Sequence, residues 1–477
     1  MKSKTISSII WSSIERFSSL GIQFIFSLII ARQLSPSDYG MIAMLSIFMA
    51  LAQTLIDSGF SNALIQKQNS NHTDFSTAFF FNIIVGIILY FIFIAIAPLI
   101  ASFYNTPALI EVIYIVSFNF IINSLAVVQR AILTIRLDFK RQAWISLISV
   151  LISGLIASYL AYHGKGVWAI VFQGLISNFV SMILLWITTK WYPQWSFSIK
   201  SFKELFGFGS KILTSGLLNT LYTNLYSIII GKFYAPTDLG YFNRSSTFTL
   251  YPAGTITIIL SRVLYPIECK LQDNKKELQN KFFLFARSTC FFVFPLMIIL
   301  CITAEPLVRL VLTEKWIKIV PYMQILCFAY MWDPIMRMNY DIVNAMHRSD
   351  YTLKAEIIKK IGGGIILFAT LHYGVIIMCI GLIVNTFVDI IVVTNYTKKI
   401  LPQISFFNEM KQLLPILMQS IIVGGITYIL FHKIETDIIN IIISSISVIV
   451  MYVLLSLVLK NKELTLLIMK LKNKSNL

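Results

Sequence analysis

Apolar runs of about twenty residues, each long enough to cross a bilayer core, follow one another along the chain with short polar breaks between them. About fourteen can be marked, near 8–31, 40–64, 77–101, 109–129, 143–162, 167–189, 208–231, 240–262, 283–304, 319–343, 354–372, 374–396, 411–431 and 437–459. Segments this long and uniformly apolar predict helices, because in hydrocarbon every backbone polar group needs an internal partner. The eighth run, interrupted by Arg244 and Pro252, is the least regular. The longest breaks fall around 189–207 and 263–282. The first carries Trp191, Trp195, Phe197, Lys200, Phe202 and Lys203, a composition that predicts an amphipathic linker lying on the membrane surface.

The pattern repeats itself. Ala31-Arg32-Gln33-Leu34-Ser35-Pro36-Ser37-Asp38-Tyr39-Gly40 returns as Gly231-Lys232-Phe233-Tyr234-Ala235-Pro236-Thr237-Asp238-Leu239-Gly240. Arg136-Leu137-Asp138-Phe139 returns as Arg348-Ser349-Asp350-Tyr351, and Gly164-Lys165-Gly166-Val167 more weakly as His372-Tyr373-Gly374-Val375. Three echoes in the same order predict two parallel copies, residues 1–200 and 201–400, each of six helices. Residues 401–477 then add two helices and a basic tail. The expected fold is an all-α integral membrane protein in which helix 1 superposes on helix 7 and helix 4 on helix 10. Duplicated halves that rock against each other are a common transporter design. The repeated Pro-Ser/Thr-Asp turn predicts a helix start, with Asp38 and Asp238 as caps rather than ligands.

Composition narrows the class. The 477-residue chain is 57% hydrophobic and 13% charged, against about half and a quarter in soluble domains. Its net charge of +17 needs no nucleic acid. With the N-terminus inside, roughly 30 of the 39 Lys+Arg fall on the cytoplasmic side, placing both termini there by the positive-inside rule. The clusters are Arg130/Arg136/Lys140/Arg141, Lys190/Lys200/Lys203, Lys270/Lys275/Lys276/Lys281, Arg348/Lys354/Lys359/Lys360 and the tail from Lys460. Glu15 and Arg16 interrupt the first run, so it reads as a retained helix rather than a signal peptide. Cys269, Cys290, Cys301, Cys327 and Cys379 lack paired spacing and read as core residues, not a metal site. No Gly-x-x-x-x-Gly-Lys-Ser/Thr phosphate cradle for ATP is present, nor His-Glu-x-x-His. A polymerase or ligase of surface glycans would need a long outer loop, which the span assignment does not leave. No cofactor and no enzymatic activity are expected.

The chemistry available lies within the spans. Ser8, Ser12, Arg16, Ser19, Gln23 and Ser27 share one face of helix 1, and Lys211, Ser215, Asn219, Tyr222 and Tyr226 share one face of helix 7. Ser19, Gln23 and Ser27 correspond to Asn219, Thr223 and Ser227 in the repeat. Such stripes either pack helix on helix through small hydroxyls or line a cavity. A mid-span arginine is costly enough to make Arg16 a candidate anion ligand, unless it pairs with Glu15. Arg244 sits near a span end, as does Asp57. Helix 10 carries Asp333, Arg337, Asp341 and Asn344 on one face, and helix 12 carries Asn385 and Asp389 at i, i+4. Either set could be self-neutralising or could carry a proton or small cation.

Ser35 to Gly40, followed by Asp57-Ser58-Gly59-Phe60-Ser61-Asn62-Ala63-Leu64-Ile65, resembles the polysaccharide-export branch of the multidrug/oligosaccharidyl-lipid/polysaccharide (MOP) flippase superfamily. Asp74-Phe75-Ser76-Thr77-Ala78-Phe79-Phe80 and Tyr265-Pro266 are similar to the subgroup of colanic-acid and teichuronic-acid exporters. The resemblance implies two six-helix bundles in a V with two extra helices. It also implies transfer of an undecaprenyl-diphosphate-linked oligosaccharide across the bacterial plasma membrane, driven by a proton or sodium gradient. Its cavities would be cationic, suiting Arg16 and Arg244, with Ser12, Ser19, Gln23 and Asn219 around them. Partners would be the lipid-linked oligosaccharide, the bilayer and other surface-glycan assembly proteins. Two alternatives remain: export of cationic drugs, which favours acidic, aromatic cavities, and a membrane polymerase or ligase.

Overall fold

The computed structural model describes residues 2–57, 59–67, 70–461 and 463–465, with side chains from Ser18 onward except at 208, 211, 259, 262 and 263. Every regular element among the described residues is helical. Two compact units result, Met1–Gly240 and Tyr241–Leu477.

The first unit runs α1 (Lys2–Gln33), α2 (Pro36–Asp57), α3 (Phe60–Gln66), α4 (His72–Phe103), α5 (Leu109–Val116), α6 (Phe118–Ser124), α7 (Val127–Ile135), α8 (Phe139–Tyr162), α9 (Val167–Thr189), α10 (Ile199–Thr223) and α11 (Leu225–Phe233). α12 (Pro236–Lys270) starts in this unit and continues into the second. α13 (Lys275–Ile302), α14 (Ala304–Leu312), α15 (Val320–Tyr330), α16 (Asp333–Ala345), α17 (Ser349–Thr370), α18 (Val375–Ile400), α19 (Phe406–Phe431) and α20 (Asp437–Val458) follow.

Nine segments among the described residues are long and apolar enough to cross a membrane: 36–66, 72–103, 109–135, 139–162, 167–189, 275–302, 375–400, 406–431 and 437–458. The other five expected spans coincide with α1, α10–α11, α12, α15–α16 and α17, helices with more polar residues. The protein is a multi-pass helical membrane protein.

Several spans are broken where the sequence pattern ran on without a mark. Gly59 takes φ 70° between α2 and α3, a left-handed conformation glycine adopts without strain. A Cβ there would also meet the Gly209 carbonyl at 2.5 Å. Asn224 separates α10 from α11, and the fourth span is three short helices, α5 to α7. Within the 189–207 break, Ile199 begins α10 and residues 190–198 form no helix. They are an extended strap held to the start of α4: Gln194 N–H donates to Ser76 Oγ (3.0 Å) and Ser198 N–H to Thr77 Oγ1 (3.1 Å). Trp191 is buried against Phe75 and Phe79, while Trp195 stacks on Phe80 at 5.4 Å with its outer face open.

α1 lies along α8, where Gly154 leaves room for the Phe26 ring. α10 and α11 pack on α2. The repeated turns meet within the first unit. A Cβ on Gly40 would overlap the Pro236 carbonyl, and a Cβ on Gly240 would overlap the Pro36 carbonyl. The starts of α2 and α12 therefore approach each other reciprocally, each glycine receiving the other copy's proline. At the first turn Asp38 accepts from Ser35 N–H (2.9 Å) and Oγ (2.7 Å), while Asp38 N–H donates to Ser35 Oγ (3.3 Å). That is a reciprocal capping box with Ser35 as the cap and Asp38 as its third-residue partner. The second copy has Ala235 in place of Ser35 and lacks that hydroxyl.

Candidate functional site: paired clefts in the two units

α7, α8 and α9 surround a cleft of about 260 Å³ in the first unit, lined by Arg130, Gln142, Ser146, Ser149, Ser177, Asn178 and Ser181 with Ile145, Val150 and Leu185. The polar lining follows from helical spacing: Ser146 and Ser149 stand at i, i+3, and Ser177 and Ser181 at i, i+4. The opposite faces carry exposed Trp144, Ile148, Leu151 and Leu155 on α8 and Phe179, Ile183 and Ile187 on α9. Lipid suits those faces, so the cleft opens toward protein or water. Asn178 Nδ2 donates to Asn119 Oδ1 (2.7 Å), tying α9 to α6, and Ser149 Oγ donates to the Ile145 carbonyl (2.7 Å). Ser177 and Ser181 make no hydrogen bond within the protein among the described residues.

A second cavity of about 350 Å³ lies beside it, lined by Gln53, Thr54, Asp57, Gly59, Ser61, Val127, Arg130, Ile212, Leu213 and Gly216. Arg130, an exposed residue of α7, borders both cavities.

The second unit holds a matching constellation filled by its own side chains. Leu137 (φ 55°) and His347 (φ 57°) occupy the same left-handed turn before α8 and α17, so these turns are 210 residues apart. The letter match of Arg136-Leu137-Asp138 to Arg348-Ser349-Asp350 is therefore two residues out of structural register. At the turn's offset, Arg130 corresponds to Tyr340, Ser146 to Glu356 and Ser149 to Lys359. α9 and α18 both start after a glycine, at Val167 and Val375, which pairs Ser177 with Asn385 and Ser181 with Asp389. Lys359 Nζ lies 3.4 Å from Glu356 Oε1, 3.8 Å from Asp389 Oδ2 and 5.0 Å from the Tyr340 ring centroid. Asn385 Nδ2 donates to Asp389 Oδ2 (3.4 Å). The positions that form an open hydroxyl cleft in one unit form a closed ion-paired cluster in the other.

The expected site residues divide accordingly. Asn385 and Asp389 are together, as their spacing suggested, with Lys359 as an unforeseen partner. Arg337 pairs with Asp341 at 3.1 Å, and Ser261 Oγ donates to Asp341 Oδ2 (2.5 Å). Asp333 stays outside that pair, in the field of Lys359 and Arg337. Glu268, on the same helix as Ser261, is buried with both carboxylate oxygens unpartnered. Ser19 bonds to Ser146 (3.0 Å), joining α1 to α8. Gln23 and Asn219 are exposed, on α1 and α10. Arg244 is buried with its guanidinium 5.2 Å from the Phe248 ring centroid. Arg16 and Ser12 lie outside the described side chains.

Sequence reasoning missed Arg130 and Lys359, which it placed among cytoplasmic charges. It also missed the serines of α8 and α9, whose helical spacing was as readable as that of helix 1.

Residues 29–321 match the family described as "Polysaccharide biosynthesis protein". The chain is 25% identical over 366 residues to the teichuronic acid biosynthesis protein TuaB of Bacillus subtilis, covering 76% of each. It is 25% identical over 362 residues to the lipopolysaccharide biosynthesis protein WzxC of Escherichia coli, covering 75% of this chain and 73% of that one. In fold it is similar to the lipid II flippase MurJ in an inward closed conformation, with TM-score 0.75 at 17% identity over 95% of this chain and all of that one. An inward-facing multidrug transporter of the MOP superfamily gives TM-score 0.61 at 13% identity, covering 82% and 98%. The chain belongs to the polysaccharide biosynthesis protein family.

Proposed function

We propose that the protein carries a lipid-linked oligosaccharide, borne on an undecaprenyl-type diphosphate, from the inner to the outer leaflet of a bacterial plasma membrane for assembly of a surface polysaccharide. The observation that carries this reading is the polar cleft-and-cavity pair around Arg130 inside a membrane-spanning unit of this family. A glycan is too hydrated to enter hydrocarbon and needs such a lining, while the lipid tail can remain in the bilayer. Translocation makes and breaks no covalent bond, so the protein acts as a carrier and not as an enzyme. Both termini are cytoplasmic in this reading. Coupling to a proton or sodium gradient falls to the ionisable groups of the second unit, with Asp389, Asn385, Asp333, Arg337 and Asp341 as candidates. Other membrane proteins of glycan assembly are the expected partners.

The test is deletion of the gene followed by extraction of lipid-linked intermediates. A lipid-linked oligosaccharide facing the cytoplasm should accumulate, and the wild-type gene should clear it and restore surface glycan. Normal export in the deletion strain would overturn the reading.

A further inference from the structure

Two side chains of the second unit are buried with an acceptor left over on each. Glu409, near the start of α19, and Asn339, on α16, are each 1% exposed. The flanking Met338 and Met410 belong to one apolar cluster with Phe282, Cys290 and Leu413. Asn339 Nδ2 donates to the Ile335 carbonyl (3.1 Å) and to Glu409 Oε2 (3.3 Å). Both amide hydrogens are used, which fixes the way the amide faces, since turning it would set acceptor against acceptor. Asn339 Oδ1 and Glu409 Oε1 are then left without any hydrogen-bond partner. Helix starts favour anions, yet no backbone N–H reaches either oxygen of this carboxyl among the described residues.

No basic side chain answers the carboxyl either. On α13, Arg287 is committed to Glu463, and Cys290 is the titratable group that shares the field of Glu409. On α16, Arg337 pairs with Asp341. Lys398 and Lys399 at the end of α18 and Lys411 on α19 are exposed. Glu268 of α12 lies in the field of Asp341, and Tyr452 of α20 in that of Cys290 and Glu463. A carboxylate taken out of water with no compensating charge is far costlier than a neutral acid. A hard metal ion such as calcium takes about six or more oxygens, and the pair offers two unpartnered ones. A single proton suits it: an O–H on the carboxyl supplies the one donor that the two leftover acceptors lack.

We propose that Glu409 and Asn339 form a proton-binding site, in which Glu409 is held as the neutral acid with its O–H directed to Asn339 Oδ1, and that this acid–amide pair latches the start of α19 to α16. The site stands apart from the carrier reading and from the coupling candidates on α16 and α18. With the proton in place, the acid gives one hydrogen bond and takes one from the same amide. Without it, a charge with no partner is left inside the apolar cluster, and the start of α19 has to leave its seat. The two helices that follow the duplicated halves, α19 and α20, are therefore seated by a proton.

The experiment is infrared difference spectroscopy of the full-length protein in lipid nanodiscs at neutral pH, wild type against Glu409→Gln. The variant should lose the carboxylic-acid C=O band of one residue. Other buried acids, Glu268 among them, are present in both samples and cancel. In Asn339→Leu the same band should move to higher frequency, because the acid's carbonyl loses the N–H it accepted. Hydrogen–deuterium exchange over residues 406–413 reads the latch. Asn339→Leu should raise exchange there, whereas Glu409→Gln should leave both exchange and Tm close to wild type, since the glutamine N–H supplies the donor that the proton supplied. If Asn339→Leu does not elute as folded protein, the spectrum and Tm of Glu409→Gln carry the test alone. A spectrum unchanged by Glu409→Gln would overturn the proposal, because the carboxyl would then be ionised, whether bridged by water or by a cation. A Tm raised by Glu409→Gln would do the same, as it would report the removal of an uncompensated charge. Exchange at the start of α19 that ignores Asn339→Leu would overturn the latch.

Discussion

The cleft under α8 and α9 and the cluster under α17 and α18 fall at matching positions of the sequence repeat and carry different side chains. In the second unit Lys359 bridges Glu356 and Asp389, and the space is closed by the protein's own charges. In the first, the equivalent side chains are serines, the space stays open, and Arg130 stands at its edge. The matching positions are hydroxyls lining a cleft in one unit and an ion-paired cluster in the other, where Asn385 Oδ1 and Asp389 Oδ1 have no hydrogen-bond partner.

Six substitutions would break or sharpen this contrast. Lys359→Ala should have the largest effect, because it strands Asp389 and Glu356; breaking a buried pair by removing one partner costs about 3–5 kcal/mol. Thermal unfolding in detergent should fall steeply, and an unchanged Tm would show the cluster to be solvated. Gly40→Ala and Gly240→Ala should behave alike, each forcing the starts of α2 and α12 apart at a cost of about 1–3 kcal/mol; surface-glycan output should drop for both. Unequal effects would mean that the reciprocal contact is not shared evenly. Ser181→Asp copies the second unit's residue into the first. It should add a carboxylate to the cleft beside Arg130 and cut export about tenfold, in line with about 1.4 kcal/mol, while the protein stays folded; full export would deny the cleft a part in transport. Smallest of all, Ser177→Ala and Ser181→Ala should change stability by no more than about 0.5 kcal/mol each, since neither hydroxyl is bonded to another of the described residues; a larger loss in Tm would reveal a structural role.

The helical membrane class was legible because twenty-residue apolar runs leave the backbone few options. The breaks at Gly59, Asn224 and between α15 and α16 were not, since one or two polar residues inside a long apolar run do not by themselves end a helix. Asn385 and Asp389 could be paired from spacing within one helix. Lys359 could not, because its partner Asp389 sits on a different helix. Arg130 was hidden by a boundary: ending the fourth span at 129 made it a loop charge, whereas α7 continues to Ile135. The docking of the Trp/Phe/Lys-rich linker was not legible from composition, since its aromatic residues suit a membrane surface and a docked strap equally well. Ser76 and Thr77, whose hydroxyls hold that strap, lie far from it in sequence.

The reciprocal seating of each turn's glycine on the other turn's proline also bears on how the two copies can diverge. A side chain added at Gly40 is felt at Pro236, and one added at Gly240 is felt at Pro36, so neither turn can drift without the other. The matching positions on α8 and α17 carry Ser149 in one copy and Lys359 in the other. The sharpest echo in the sequence is thus the mark of a lock shared between copies, and the faintest marks where each half took up separate work.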